Sequence, residues 1–149
     1  MADVFTPEKR SEVMSKIRSK NTRPEETVRK WLFNNGFRYR KNVAALPGKP
    51  DVVLPKYRAA IFVHGCFWHG HEGCRYFVVP KTRTEWWLAK INRNREKDEE
   101  SRTLLALAGW KIFVVWECEL RRKANAQIRL ETLAAELKLL GLKERGIKQ

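Results

Sequence analysis

Two apolar runs separated by four residues constrain this chain more than any other feature. Asp51-Val52-Val53-Leu54 and Ala59-Ala60-Ile61-Phe62-Val63 flank the turn Pro55-Lys56-Tyr57-Arg58. A connection that short predicts antiparallel neighbours in one sheet. The second run is apolar at every position rather than at alternate ones, so both of its faces must be covered. Helical patterns on either side supply the cover. Thr22-Arg23-Pro24-Glu25 reads as a capping box opening a helix that buries Val28, Trp31 and Leu32, and Asn34-Asn35-Gly36 closes it. A charged helix is expected from about Thr84 to Leu107, opened by a similar Thr82-Arg83-Thr84-Glu85 pattern and ended by Gly109. Lys111 to Trp116 reads as another central strand. A last amphipathic helix carries Ile128, Leu130, Leu133, Ala134 and Leu137 and is expected to finish at Gly141. Phe37-Arg38-Tyr39-Arg40 alternates, which suits a half-buried or edge strand. A short N-terminal helix, with Thr6 as cap, Pro7 at its first position and Val13, Met14 and Ile17 on one face, completes the order αα-βββ-α-β-α. The expectation is an α/β domain with a mixed sheet and helices on both faces. One domain spans residues 1–149, with 1–20 as a helical arm and 141–149 as a flexible tail.

The chain carries 31 Lys and Arg against 17 Asp and Glu, a net charge of +14. Its 43% hydrophobic content excludes a disordered polycation. A polyanion partner follows, and six tryptophans among the basic residues favour nucleic acid, because aromatic rings can stack on bases or wedge between them. No apolar run approaches the roughly 20 residues that span a bilayer, and Met1 to Arg10 lacks the apolar stretch of a secretory leader. These features predict a cytoplasmic protein with no membrane role. Three cysteines form an odd set, which argues against a disulfide framework.

Two of the three cysteines lie in the long loop from Gly65 to Arg83, and the third just past the last predicted strand. Gly65-Cys66-Phe67-Trp68-His69-Gly70-His71-Glu72-Gly73-Cys74 packs two of them with two histidines and two large aromatics, and Cys118 follows the last strand. Cys66, His71, Cys74 and Cys118 make a Cys3His set suited to tetrahedral Zn²⁺. His69 could chelate in place of His71, since Cys66-x2-His69 is equally compact. Unligated buried thiols are the bland alternative.

Asp51 is the only acidic residue between Glu26 and Glu72, amid eight Lys and Arg. A carboxylate opening a strand in a basic setting can hold Mg²⁺ together with phosphate oxygens; it can equally cap a turn after Pro50. His64 ends the neighbouring strand, and a histidine beside a metal site can move a proton near neutral pH. Glu25 sits where a capping box would turn it back on Thr22; a catalytic role requires that helix end to face Asp51. Trp86 and Trp87 are adjacent on a helix, so one of them must leave the core.

These motifs together resemble the very short patch repair (Vsr) DNA mismatch endonucleases. Leu46-Pro47-Gly48-Lys49-Pro50-Asp51, Val63-His64-Gly65-Cys66-Phe67-Trp68-His69-Gly70-His71, Thr82-Arg83-Thr84-Glu85-Trp86-Trp87 and Val115-Trp116-Glu117-Cys118 carry the resemblance, with Arg10-Ser11 and Asn21-Thr22-Arg23-Pro24-Glu25 beside them. It covers the chain from about Thr6 to about Leu139. The resemblance implies a restriction-endonuclease-like, PD-(D/E)xK-type fold with a structural zinc and an Mg²⁺-dependent site. It implies nicking 5′ to the thymine of a T:G mismatch left when 5-methylcytosine deaminates. Asp51 and the backbone carbonyl of Val63 would bind Mg²⁺. His69 would be the general acid/base, supported by Glu25 and His64. Cys66, His71, Cys74 and Cys118 would bind zinc. Phe67, Trp68 and Trp87, with Trp86 beside them, would form a wedge at the mismatch. The implied partner is mismatched duplex DNA, met by a monomer in the bacterial cytoplasm at the nucleoid, with general mismatch-repair proteins downstream.

The chain departs from that fold's usual pattern on the second strand. Related nucleases place an acidic residue and a lysine there, where this chain has Ile61-Phe62-Val63-His64. Two rival expectations remain: a broader mismatch nickase or restriction-type nuclease, and a non-catalytic zinc-stabilised nucleic-acid binder that has no need of Asp51.

Overall fold

The structure, a computed structural model, describes residues 22–148, with side chains as far as Leu142. The helix expected within residues 1–20 lies outside the described residues. The elements run α1 (Arg23–Asn34), β1 (Arg40–Lys41), β2 (Val52–Leu54), β3 (Ala59–His64), α2 (Thr84–Leu107), β4 (Lys111–Trp116) and α3 (Lys123–Lys148). Short 3-10 turns at Pro55–Tyr57 and Glu117–Leu120 follow β2 and β4.

The sheet is mixed, in the order β1-β2-β3-β4. β2 pairs antiparallel with β3, with Val52 opposite Ile61 and Leu54 opposite Ala59. β3 pairs parallel with β4, from Ala59 opposite Lys111 to His64 opposite Trp116. Every residue of β3 is buried, and its alternation divides the core. Ala59, Ile61 and Val63 join Val28, Leu32, Leu130, Leu133 and Leu137 on the face covered by α1 and α3. Ala60 and Phe62 join Leu105 of α2 on the other face. Burying side chains of this size contributes about 1.5–3 kcal/mol each, so β3 is the spine of the domain.

Four boundaries differ from the sequence reading, each for a local reason. The strand expected over Phe37–Arg40 shrinks to Arg40–Lys41. Gly36 takes φ 88, and the Phe37 N–H caps α1 by donating to the Leu32 carbonyl, so it is lost to the sheet. Thr22 is the N-cap of α1 but makes no side-chain cap bond; the predicted capping box does not form. At α2 the N-cap is Arg83, in the left-handed region at φ 55, while the Thr84 hydroxyl donates back to the Pro80 and Lys81 carbonyls. Finally, α3 does not stop at Gly141. It continues to Lys148, so the segment expected as a tail is helical in its backbone. An interior glycine costs a helix only about 1 kcal/mol, and here it is buried.

Candidate active site and metal centre

Strand direction assembles the site. β2 runs antiparallel to β3, so the residue just before β2 lies beside the end of β3. The Val63 N–H therefore donates to Asp51 Oδ2 at 2.7 Å. The Val63 carbonyl leaves the strand on the same edge as its N–H. Parallel pairing with β4 puts Trp116 beside His64 and brings the following turn, with Cys118, to the same end of the sheet. Ligand sites of α/β sheets collect at such strand ends. A cleft of about 1280 Å³ opens there, with Asp51, Val63, His64, Phe67, Trp68 and His69 in its wall. Arg23, Lys49, Lys97 and Arg121 line it too, alongside Glu25, Asp98, Glu100 and Glu117, so cationic and anionic side chains share its wall.

Glu25 is the first surprise. Its side chain is not turned to Thr22; it is buried and pairs with buried Arg29 at 3.4 Å. It also acts on Asp51. The Asp51 carboxyl is raised to about 7, chiefly by burial and with the neighbouring Glu25 adding, while the Val63 N–H and Arg29 pull the other way. Two carboxyls facing each other in a partly desolvated notch make a site that gains from a cation. The bland reading of Glu25 as a helix cap is thereby corrected.

His64 and His69 lie face to face, ring centroids 3.8 Å apart and planes 2° from parallel. His64 is buried, and burial lowers its pKa to about 3, with His69 and Arg102 adding and Asp98 opposing. Its imidazole is neutral at ordinary pH. Its Nδ1 has no hydrogen-bond partner among the described residues. His69 is half-exposed, and its Nδ1 meets Asp98 Oδ2 at 2.5 Å. A carboxylate on one ring nitrogen holds the proton there and leaves the other nitrogen free to accept one.

Asp98 has no place in the sequence reading. It hides in Glu96-Lys97-Asp98-Glu99-Glu100, a run that reads as solvated helix. A usable signal was present in the period. Positions 87, 91, 94, 98, 101 and 105 form one helical stripe, in which Trp87, Ile91 and Leu105 are buried and Asn94, Asp98 and Ser101 half-buried. Polar residues in a buried stripe ask for partners. Asn94 finds one in the Trp68 carbonyl, at 2.9 Å.

The second cluster is the cysteine knot. Ligand atoms of Cys66, His71, Cys74 and Cys118 all lie within 4.8 Å of one another. The Cys118 N–H donates to Cys66 Sγ at 3.4 Å, Cys118 Sγ lies 3.5 Å from His71 Nδ1, and the His71 ring stacks on Trp116 at 3.9 Å. Burial pushes the Cys66 thiol up to about 12. A thiolate at that position needs an adjacent cation, and this donor set fits a soft tetrahedral ion. The geometry separates the two histidines that the sequence left interchangeable: His71 belongs to the knot, while His69 turns to Asp98.

The four aromatics meet in one cluster. Phe67 packs edge-on against Trp68 and Trp87, each at 5.4 Å, and Trp86 against Trp87 at 4.6 Å. Trp68 and Trp87 are buried, Phe67 is half-buried, and Trp86 is 40% exposed. The outward face is thus Phe67 and Trp86 on a floor of Trp68 and Trp87. Arg83 lies over the Trp86 ring at 4.6 Å, and Lys90 over Trp86 at 5.4 Å and Trp68 at 5.9 Å. Lys90 did not figure in the sequence reading, and Arg83 figured there only as part of the pattern that opens the helix.

Comparison with known proteins gives a consistent picture. The family model described as DNA mismatch endonuclease Vsr matches residues 2–75. The chain is 53% identical over 138 residues to the type II nicking enzyme V.NmeAIP of Neisseria meningitidis, covering 93% of this chain and 98% of that protein. It is 47% identical over 133 residues to V.XorIIP, a type II nicking enzyme of Xanthomonas oryzae, covering 89% and 97%. It is also 46% identical over 121 residues to the DNA mismatch endonuclease Vsr of Escherichia coli, covering 81% and 77%.

Proposed function

The chain belongs to the Vsr family of DNA mismatch endonucleases, and from that premise we propose that it nicks one strand of duplex DNA 5′ to the thymine of a T:G mismatch, the lesion left by deamination of 5-methylcytosine. The observation that carries this reading is the meeting of Asp51, Glu25 and a His69–Asp98 pair in one cleft that also presents Lys49, Lys97, Arg23 and Arg121, beside an aromatic cluster. A binder without chemistry has no use for such a notch.

Asp51 and the Val63 carbonyl would hold Mg²⁺, with Glu25 adding negative charge and DNA phosphate completing the oxygen set. Bound there, the ion supplies counter-charge to the phosphate as negative charge develops. His69, fixed by Asp98 at Nδ1, accepts through Nε2 the proton of the water attacking phosphorus. The phosphodiester P–O bond opposite the water breaks with its electron pair going to the departing oxygen, which takes a proton from solvent to become a free hydroxyl, and the strand is nicked. His64 stays neutral and stacks behind His69. Cys66, His71, Cys74 and Cys118 would hold Zn²⁺ and so set the loop that carries His69. The notch between the start of β2 and the end of β3 supports a restriction-endonuclease-like, PD-(D/E)xK-type assignment. The usual second-strand carboxylate and lysine are replaced by Phe62 and His64 and the helix-borne Asp98.

Phe67 and Trp86 would lead a wedge backed by Trp68 and Trp87. Unstacking a base step costs a few kcal/mol, least at a mismatch, which ties insertion to the damaged site. We extend the reading to a monomer acting in the bacterial cytoplasm that passes the nicked duplex to general mismatch-repair proteins.

The test is a nicking assay on duplexes carrying T:G, each other mismatch, or only paired bases, with and without a Mg²⁺ chelator. The expected result is chelator-sensitive nicking of T:G, lost in Asp51→Ala and His69→Ala. Equal nicking of several mismatches would replace this reading with the broader nickase; wild-type rates in both variants would remove the assigned chemistry.

A further inference from the structure

Three side chains of α2 reach three consecutive loop residues. Asn94 holds the Trp68 carbonyl, Asp98 holds the His69 ring, and Arg95 donates to the Gly70 carbonyl from Nε at 3.1 Å and also from Nη2. The first two serve residues already assigned to the wedge and to proton transfer. Arg95 serves a glycine. Its guanidinium also lies 3.8 Å from Glu72 Oε1 and 5.4 Å from the centroid of the Phe77 ring. One planar group therefore links the start of the cysteine loop to its far end. Asn94 and Asp98 line the cleft, and among the described residues that line it Arg95 does not appear.

Gly70 and Arg95 also specify each other. Gly70 takes φ +59, and a Cβ there would lie 2.4 Å from Arg95 Nε and 2.6 Å from Cζ and Nη2. The guanidinium fills the space that a side chain would need. The loop is otherwise a tight turn, with the His69 N–H donating to the Gly65 carbonyl and the Gly70 N–H to Phe67. The clamped Gly70 carbonyl thus lies between His69 and the cysteine knot's His71.

We propose that Arg95 is a positioning residue for strand cleavage: by pinning Gly70 to α2 it sets the depth and rotation of His69 against Asp98. A charge-assisted bond to a carbonyl, made by a rigid planar fork, is suited to that task. A reacting group misplaced by about 1 Å can lose about 10²-fold in rate. The inference rests on the reading of His69 as the proton-transfer group.

The experiment is single-turnover nicking at saturating enzyme, on whichever duplex the wild type cuts, with binding affinity and zinc content measured in parallel. Arg95→Ala should slow cleavage by about 10-fold to 10²-fold with affinity and zinc unchanged. Arg95→Lys should recover part of the rate, since an ammonium can still donate to Gly70 but cannot lie flat over Phe77. Gly70→Ala should be slow with Arg95 present. Combined with Arg95→Ala it should lose the collision and keep only the strain of an alanine at φ +59, so the two losses should be less than additive. If Arg95→Ala does not fold, Arg95→Lys and Gly70→Ala carry the test. Weakened binding with an unchanged saturated rate would make Arg95 a DNA contact and overturn the proposal. Loss of zinc in step with rate would overturn it as well. A fast His69→Ala protein would remove the reading beneath it; a slow His69→Ala beside an unchanged Arg95→Ala would remove the clamp alone.

Discussion

The notch around Asp51 and the knot around Cys66 share one stretch of chain, yet they are assembled in opposite ways. The knot draws three ligands from nine residues of a single loop and a fourth from the turn after β4. Its donors are soft sulfurs and one imidazole, which bind an ion once and keep it. The notch draws on α1, the start of β2, the end of β3, the loop and α2, through Glu25, Asp51, Val63, His64, His69 and Asp98. Its donors are oxygens and imidazoles whose ordinary charge states burial disfavours: Asp51 is raised to about 7 and His64 lowered to about 3. Strongly displaced groups converging from many elements mark a site that waits for substrate and ion. Converging cysteines mark one that a single bound ion would satisfy. The spacing of His69 and His71 puts the boundary between the two within a single turn.

The largest test of that division is to break the knot. Cys118→Ser should lose the metal, and structural zinc contributes about 10–16 kcal/mol in small zinc-binding peptides, comparable to the whole stability of a typical domain. The expected outcome is loss of bound zinc, of the circular-dichroism melt and of both binding and nicking. A folded, zinc-free Cys118→Ser protein with normal nicking would dissolve the distinction between knot and notch. Breaking the notch should do far less to the fold. Asp98→Asn keeps the shape but cannot stabilise a protonated His69, so nicking should fall roughly 10²-fold with zinc and affinity intact. A wild-type rate in Asp98→Asn would leave the contact between Asp98 and His69 as packing alone.

The knot and the spine of the fold were legible because their signals are local. Cys66, His71 and Cys74 lie close in the sequence, and the β2–β3 pairing is dictated by a four-residue turn. Asp51 stood out by isolation from other acids. The remainder of the notch was not local. Asp98 comes to His69 across 29 positions, and nothing in a run of five charged residues marks one of them except its place on a helical stripe. The cap reading of Glu25 failed for the opposite reason. Its local pattern fits a capping box, but Arg29 and Asp51 outweigh the cap. Phe37 shows the same competition on the fold side: strand alternation lost to a helix end that needed the Phe37 N–H. Local patterns succeed where the chain neighbour is also the spatial neighbour, and the active site is where that coincidence fails.

The smallest expected effect separates the two regions without damaging either. The Asp51 carboxyl is raised from the ordinary 3.8 to about 7 in the metal-free fold. The native state therefore keeps a proton that the unfolded chain releases, and the contribution of Asp51 to stability, full below about pH 3.8, is lost as pH rises through 7. His64 runs the other way. Held near 3 against an ordinary 6.5, it stays neutral while the unfolded chain takes up a proton, so its contribution is present above pH 6.5 and lost as pH falls. The two slopes oppose each other between them, and Asp51→Asn should expose the rise due to His64. Mg²⁺ competes with the proton on Asp51. Added Mg²⁺ should leave Tm unchanged near pH 5 and raise it above pH 7. At about ten times Kd the gain is about 1.4 kcal/mol, a rise of about 3–6 °C for a domain of this size. Asp51→Asn should abolish the gain at every pH, and the zinc content should not change in any arm. A Mg²⁺-dependent rise in Tm that is equal at pH 5 and pH 8, or that survives in Asp51→Asn, would place the ion somewhere other than the notch.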